Sequence, residues 1–234
     1  CLGLISIKFA LDTNYAMSVI AIGFAAILDT LDGRVARLIK GTSKVGKELD
    51  SLTDVISFGV APGFIMYFWA LNEIGKFGWM FVLIYTVCCA LRLARFNLTT
   101  IEENESWKIN FFEGVPSPAG AGLVLLPLIL SLSDLVQFEN FAILSSITIL
   151  TTSILMVSKL PTYSLKRILI PRHLTIFLLL GIGIYVSLLI FYTFETLFFT
   201  GIAYFVLIPI SYFHYNHKSK TLLAINEEET EDVL

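Results

Sequence analysis

The feature that most constrains this chain is a run of about twenty apolar residues that recurs along its whole length. A helix needs about 20 such residues to cross the hydrocarbon of a bilayer. The runs are continuously apolar rather than alternating, which indicates helices and not a membrane β-barrel. The sequence therefore predicts an all-α polytopic membrane protein with about eight spans. These spans are a truncated one at Cys1–Ile7, then Ala16–Val35, Gly46–Leu71, Phe77–Phe96, Ser117–Leu135, Phe141–Ser158, Leu174–Tyr192 and Leu197–Phe213.

Composition supports the membrane interpretation. Of the 234 residues, 56% are hydrophobic and 15% are charged, whereas soluble domains have about 45–50% apolar and about 25% charged residues. The same figures exclude disordered and collagen-like chains. Nucleic-acid binding is not expected, because the basic residues form no patch interleaved with aromatic residues. Cys1 already lies in an apolar run, so we expect the sequence to begin inside a longer chain.

The basic residues predict the orientation. Fourteen of the sixteen lie in or beside the connections after the second, fourth and sixth spans and in the C-terminal segment. By the positive-inside rule these parts are expected to face the cytoplasm, in the cytoplasmic (inner) membrane, and the active site is expected on the same side. Residues 1–215 then form the transmembrane domain. Residues 216–234, which are rich in glutamate, are predicted to form an acidic, mobile cytoplasmic tail.

Four aspartates interrupt two neighbouring spans near their cytoplasmic ends. Asp29 and Asp32 are three residues apart, and Asp50 and Asp54 are four apart, so each pair lies on one helix face. Ionisable groups in a span are costly and suggest function. Four converging carboxylates need cations, and Mg²⁺ or Mn²⁺ suit sites made of carboxylate and phosphate oxygens. The alternative interpretation is that these charges only cap and anchor the helices at the interface.

The residues around the aspartates suit a phosphorylated ligand. Small side chains flank the acids and leave room for a ligand, and the Arg37 guanidinium matches phosphate oxygens. Acids, metals and an arginine together suggest two-metal phosphoryl-group chemistry.

The segment from Asp29 to Asp54 resembles the signature of the CDP-alcohol phosphotransferase family. All eight fixed positions of its signature are present at the required spacing: Asp29, Asp32, Gly33, Ala36, Arg37, Gly46, Asp50 and Asp54. Further stretches resemble the phosphatidylserine synthase branch of this family, namely Ser57–Pro62, Arg92–Asn97, Gly114–Pro118 and Met156–Ser158. From the resemblance we expect that most of the family's first helix, with its usual Asn-containing stretch, is missing from this sequence.

The resemblance implies a reaction and a set of roles. A CDP-linked lipid, CDP-diacylglycerol, donates its phosphatidyl group to L-serine by in-line attack, and CMP leaves. Asp29, Asp32 and Asp50 are implied to bind two divalent ions, Mg²⁺ or Mn²⁺, and Asp54 to be both a metal ligand and the general base. The positions implied to surround the CDP group are Gly33, Ala36, Arg37, Ser43 and Gly46. A homodimer is expected only because homodimers are common in the family.

A serine acceptor also needs groups that bind its carboxylate. The candidates are Arg92, Arg95, Asn97 and Lys159, although cations at a cytoplasmic helix end also serve as anchors. Three alternatives stay open at this point. The acceptor could be glycerol phosphate or inositol phosphate, the donor could be an archaeal ether lipid, or the acids could form the ion site of a transporter.

Overall fold

A computed structural model describes residues 2–38, 44–98, 111–133, 135, 140–163 and 174–231, with the backbone alone at 36–38, 44, 47, 98, 111–113, 163 and 216–231. The helices are α1 (Leu2–Leu11), α2 (Tyr15–Leu38), α3 (Lys44–Asp54), a π-helix (Val55–Val60), α4 (Ala61–Trp69), a 3₁₀ turn (Leu71–Ile74), α5 (Lys76–Leu98), α6 (Ser117–Val124), α7 (Leu126–Leu132), α8 (Phe141–Val157), α9 (Thr175–Phe191) and α10 (Thr193–Glu231). Two short strands, β1 (Phe111–Glu113) and β2 (Pro161–Tyr163), complete the described elements.

The described residues of each of the eight apolar stretches predicted from the sequence are mostly helical. In the described part of the chain, four helices are long and apolar enough to cross a membrane: Tyr15–Val35, Glu48–Trp69, Lys76–Asn97 and Thr193–Tyr215. The other stretches form shorter helices. The structure therefore supports a polytopic helical protein, while the number of eight spans stays a prediction.

The third span is one continuous helix whose geometry changes halfway. α3 continues through the π-helix into α4, and the residues at both junctions have right-handed helical angles. π-Helical turns are rare and occur frequently at functional sites. Here the wider turn presents backbone carbonyls to α5: Tyr85 donates from its hydroxyl to the Phe58 carbonyl at 2.6 Å. This buried hydrogen bond fixes the segment after Asp54 against α5.

The core lies where α1, α4, α5, α6 and α8 meet. Its largest fully buried side chains include Tyr85, Phe58, Ile65 and Met66. α1 approaches the π-helix closely, because a Cβ on Gly3 would lie only 2.6 Å from the Ser57 Cα. α9, in contrast, exposes nearly all of its side chains and packs on α10.

The fold contains one feature that an all-α prediction does not include. β1 and β2 pair antiparallel, with Phe111 opposite Tyr163 and Glu113 opposite Pro161. The ladder continues past the strands, since the Gly114 N–H donates to the Leu160 carbonyl at 2.9 Å. This two-stranded antiparallel pair brings the segment before α6 next to the segment after α8.

The C-terminal boundary at residue 216 falls within a helix. The backbone of α10 continues as helix to Glu231. The domain division at this point, and the mobility of the acidic segment, stay predictions.

Candidate active site

Three of the four predicted aspartates come together between α2 and α3. Asp29 extends from α2, and Asp50 and Asp54 lie one turn apart on α3. One carboxylate oxygen from each lies within 4.8 Å of the other two. The Asp29 and Asp54 carboxyl groups are also within hydrogen-bonding reach of each other. Three hard oxygen donors at this separation fit a divalent cation of the Mg²⁺ or Mn²⁺ type.

Asp32 occupies a different position from the other three. It lines the same cavity, but it is exposed and lies outside the group whose oxygens converge. It follows Asp29 by one turn of α2, nearer to the end of that helix. The convergence predicted from the sequence is therefore found for Asp29, Asp50 and Asp54, and a metal-binding role for Asp32 stays a prediction.

The acidic cluster forms one wall of a cavity of about 300 Å³. Apolar side chains line the same cavity, among them Leu2, Leu28 and Phe58. The cavity therefore combines charged and hydrocarbon-like lining groups. This combination suits a ligand with a polar head and an acyl tail.

The positions implied to surround a CDP group are only partly described. Gly46 lines the cavity. Gly33 lies on α2 with no heavy atom within 4 Å of the place where a Cβ would be, which leaves open space beside the acids. The side chains of Ala36 and Arg37 and the whole of Ser43 lie outside the described residues, so their roles stay predictions.

A partly buried arginine borders the acidic cluster on the α5 side. Arg92 donates from Nη1 to the Ser117 Oγ at the start of α6, at 2.6 Å. Its guanidinium interacts electrostatically with Asp54 and with Tyr204 of α10. The Arg92 Nε is buried and has no hydrogen-bond partner among the described residues. Arg92 is therefore the candidate cation that lies close to the proposed base.

The other three candidates for binding serine are more dispersed. Arg95 donates from Nη1 to the Val157 carbonyl at 2.8 Å, which ties α5 to the end of α8. Asn97 donates from Nδ2 to the Ser51 Oγ at 2.8 Å, which ties α5 to α3. Lys159 is exposed. The contacts of Arg95 and Asn97 support a positioning role for these two residues as well as a binding role.

Sequence reasoning missed Tyr204. Its hydroxyl is buried, has no hydrogen-bond partner in the described part of the chain, and lies near Arg92 and Thr162. The only signal in the sequence is a phenol within a predominantly apolar span, which is more often a packing residue than a ligand contact.

Comparison with known proteins agrees with this geometry. The family model described as CDP-alcohol phosphatidyltransferase matches residues 1–162, and the one described as CDP-alcohol phosphatidyltransferase 2 matches residues 173–209. The first match covers more than half of the chain and includes the whole acidic cluster.

Individual relatives carry the name CDP-diacylglycerol–serine O-phosphatidyltransferase. The protein of Mycobacterium leprae is 40% identical over 174 residues, which are 74% of this chain and 58% of that protein. The protein of Mycobacterium tuberculosis strain H37Rv is 35% identical over 212 residues, or 90% of this chain and 74% of that protein. The protein of Bacillus subtilis is 36% identical over 166 residues, or 70% of this chain and 85% of that protein.

These matches agree with the signature around the acidic cluster and with the four helices that can span a bilayer. This chain is an integral membrane protein and belongs to the CDP-alcohol phosphatidyltransferase family.

Proposed function

We propose that this chain transfers the phosphatidyl group of CDP-diacylglycerol to the hydroxyl of L-serine, with phosphatidylserine and CMP as products. The observation that carries the proposal is the convergence of Asp29, Asp50 and Asp54 in a cavity that apolar side chains also line. The printed names of the relatives from Mycobacterium and Bacillus support serine as the acceptor.

In this reaction one bond forms and one bond breaks at phosphorus. The serine hydroxyl oxygen attacks the lipid-side phosphorus, and the bond from that phosphorus to the oxygen of CMP breaks. Asp54 accepts the hydroxyl proton as the general base, a role that contributes about 10²–10⁴-fold in rate. Its half-buried position beside Arg92 supports this assignment, since the base must lie between the lipid cavity and the acceptor.

The carboxylates fit two divalent ions, Mg²⁺ or Mn²⁺, with Asp29, Asp50 and Asp54 as ligands and Asp32 as a further candidate. When bound, such ions would neutralise the pyrophosphate and stabilise the departing CMP. The chain's own contribution is to hold these oxygens on two rigid helices. The same helices present apolar side chains to the acyl part of the donor.

The acceptor is expected to bind on the α5 side of the cluster. Arg92 is the candidate for its carboxylate, while Arg95 and Asn97 position the ends of α5, α8 and α3. The basic residues between the spans support an orientation with this end of the helices on the cytoplasmic side of the inner membrane. A homodimer stays a prediction that rests on the family alone.

The test is an assay of the purified protein in lipid vesicles with CDP-diacylglycerol and a panel of acceptors. L-Serine, glycerol phosphate, inositol phosphate and no acceptor are compared, and a second series uses an ether-linked CDP-lipid. CMP release is measured together with the mass of the lipid product. Phosphatidylserine formed only with L-serine is the expected result. CMP release with a phosphorylated acceptor and not with serine would contradict the proposal.

A further inference from the structure

A second group of polar side chains lies next to the acidic cluster and is formed by Arg92, Ser117, Thr162 and Tyr204. Arg92 extends from α5 and is held by its hydrogen bond to Ser117 at the start of α6. Tyr204 extends from α10, which packs against β2, and its hydroxyl is close to Thr162 and within electrostatic range of Arg92. Asp54 interacts with Arg92 from the side of the acidic cavity.

Two polar atoms of this group are buried without a hydrogen-bond partner among the described residues. The Arg92 Nε and the Tyr204 Oη are both shielded from solvent. Buried polar atoms are nearly always paired, so an exception needs an explanation. The neighbouring Thr162 hydroxyl donates to the Gly114 carbonyl at 2.9 Å and forms no hydrogen bond of normal geometry with the Tyr204 hydroxyl.

The chemistry of the two atoms defines what would pair them. A guanidinium N–H can only donate, and a tyrosine hydroxyl can donate as well as accept. A carboxylate accepts from both, and arginine binds it in a planar, charge-assisted geometry. The neighbouring charges also favour a ligand group that carries a single negative charge. Arg92 is the cation beside it, because Arg95 donates to the Val157 carbonyl and Lys159 is exposed. A phosphate dianion would face one guanidinium and the adjacent acidic cluster.

We propose that Arg92 and Tyr204 together hold the carboxylate of the amino-acid acceptor, and that Tyr204 determines the preference for an amino acid over an alcohol without a carboxylate. This inference rests on the proposed function. In serine, two carbon atoms separate the carboxylate carbon from the hydroxyl oxygen. Because Asp54 also interacts with Arg92, a carboxylate held by Arg92 keeps the hydroxyl near Asp54.

The test compares the full chain with Tyr204→Phe, which removes only the hydroxyl. Tyr212→Phe is the matched control, because Tyr212 lies on the same helix and is 41% exposed. Each protein is assayed in vesicles with L-serine and with serinol, in which a hydroxymethyl group replaces the carboxylate. Apparent KM is measured separately for L-serine and for CDP-diacylglycerol, and the apparent melting temperature checks folding.

Tyr204→Phe is expected to raise the KM for L-serine about tenfold, as for the loss of one hydrogen bond to a charged group. The KM for CDP-diacylglycerol and kcat/KM for serinol should stay within about twofold of the wild type, and Tyr212→Phe should match the wild type throughout. The preference for serine over serinol then falls about tenfold.

Three results would overturn the inference. An unchanged KM for L-serine would mean that the acceptor does not contact the Tyr204 hydroxyl. Equal decreases in kcat/KM for L-serine and for serinol would mean that Tyr204 only supports the fold. A lower melting temperature with equal rises in the KM for L-serine and the KM for CDP-diacylglycerol would mean the same. Failure of the wild type to form phosphatidylserine is different, since it refutes the proposed function before any variant is compared.

Discussion

The conformation of Gly114 leads to a prediction about both stability and acceptor binding. Gly114 connects β1 to α6 and has a φ of +72°, a left-handed conformation that costs other residues about 1–2 kcal/mol. A Cβ at this position would lie 2.8 Å from the carbonyl oxygens of Met156 and Ser158. Both neighbours are backbone atoms and cannot turn away as a side-chain end can.

Gly114 also has little freedom to move in response to an added methyl group. Its N–H donates to the Leu160 carbonyl at 2.9 Å, and its carbonyl accepts from the Thr162 hydroxyl at 2.9 Å. A backbone shift that relieves the two contacts would therefore break these hydrogen bonds. Without such a shift, the overpacking strain is about 1–3 kcal/mol. Together with the left-handed conformation, Gly114→Ala should lower the free energy of unfolding by about 2–5 kcal/mol. For a chain of this size that corresponds to about 5–15 °C in melting temperature.

The measurement is thermal unfolding of the purified protein in detergent, followed by the KM for L-serine at a temperature where the variant is folded. A rise in this KM is expected, because Gly114 positions Ser117, which accepts the hydrogen bond from Arg92. Gly122→Ala is the matched control: it lies on α6 and has no heavy atom within 4 Å of a Cβ, so its melting temperature should be unchanged or slightly higher. A Gly114→Ala protein that melts with the wild type would refute the strain argument.

Three further predictions concern the reaction. Asp50→Asn should reduce CMP release at least about 10²-fold without lowering the melting temperature, and EDTA should abolish activity until Mn²⁺ or Mg²⁺ is added; near-normal activity of the variant, or activity in excess EDTA, would contradict the metal site. Arg95→Ala should raise the KM for serine more than the KM for CDP-diacylglycerol, whereas equal rises would favour an anchoring role. A CDP-lipid of defined chirality at phosphorus should react with inversion, because no histidine lies between Asp29 and Asp54 to form a covalent intermediate; retention would exclude direct attack by serine.

The sequence predicted the helical stretches well because apolar runs in a membrane protein have few alternatives to a helix. It could not predict where those helices shorten, widen or break. α6 and α7, for example, meet at Leu125, just before Pro127 at the start of α7. The π-helix after Asp54 depends on contacts with α5, such as the hydrogen bond from Tyr85 to Phe58, which join residues distant in the sequence.

In the candidate site, too, local spacing predicted some of the residues and not others. The spacing of Asp50 and Asp54 placed both on one face of a helix, and the short connection to α2 brought Asp29 opposite them. The polar group beside them includes Arg92 and Tyr204, which are separated by more than one hundred residues. No local pattern relates these two residues, since their proximity arises only when α10 packs against β2.

The contacts of Asp54 make it a better candidate for the base than Asp50. Both residues belong to the cluster of converging oxygens, and spacing alone does not distinguish them. Asp50 is exposed, whereas Asp54 is half-buried and also interacts with Arg92. Asp54 thus lines the cavity of the acidic cluster and also borders the polar group that includes Arg92. A lipid donor in the cavity and a polar acceptor held by Arg92 would meet at Asp54, where the proposed reaction removes the hydroxyl proton.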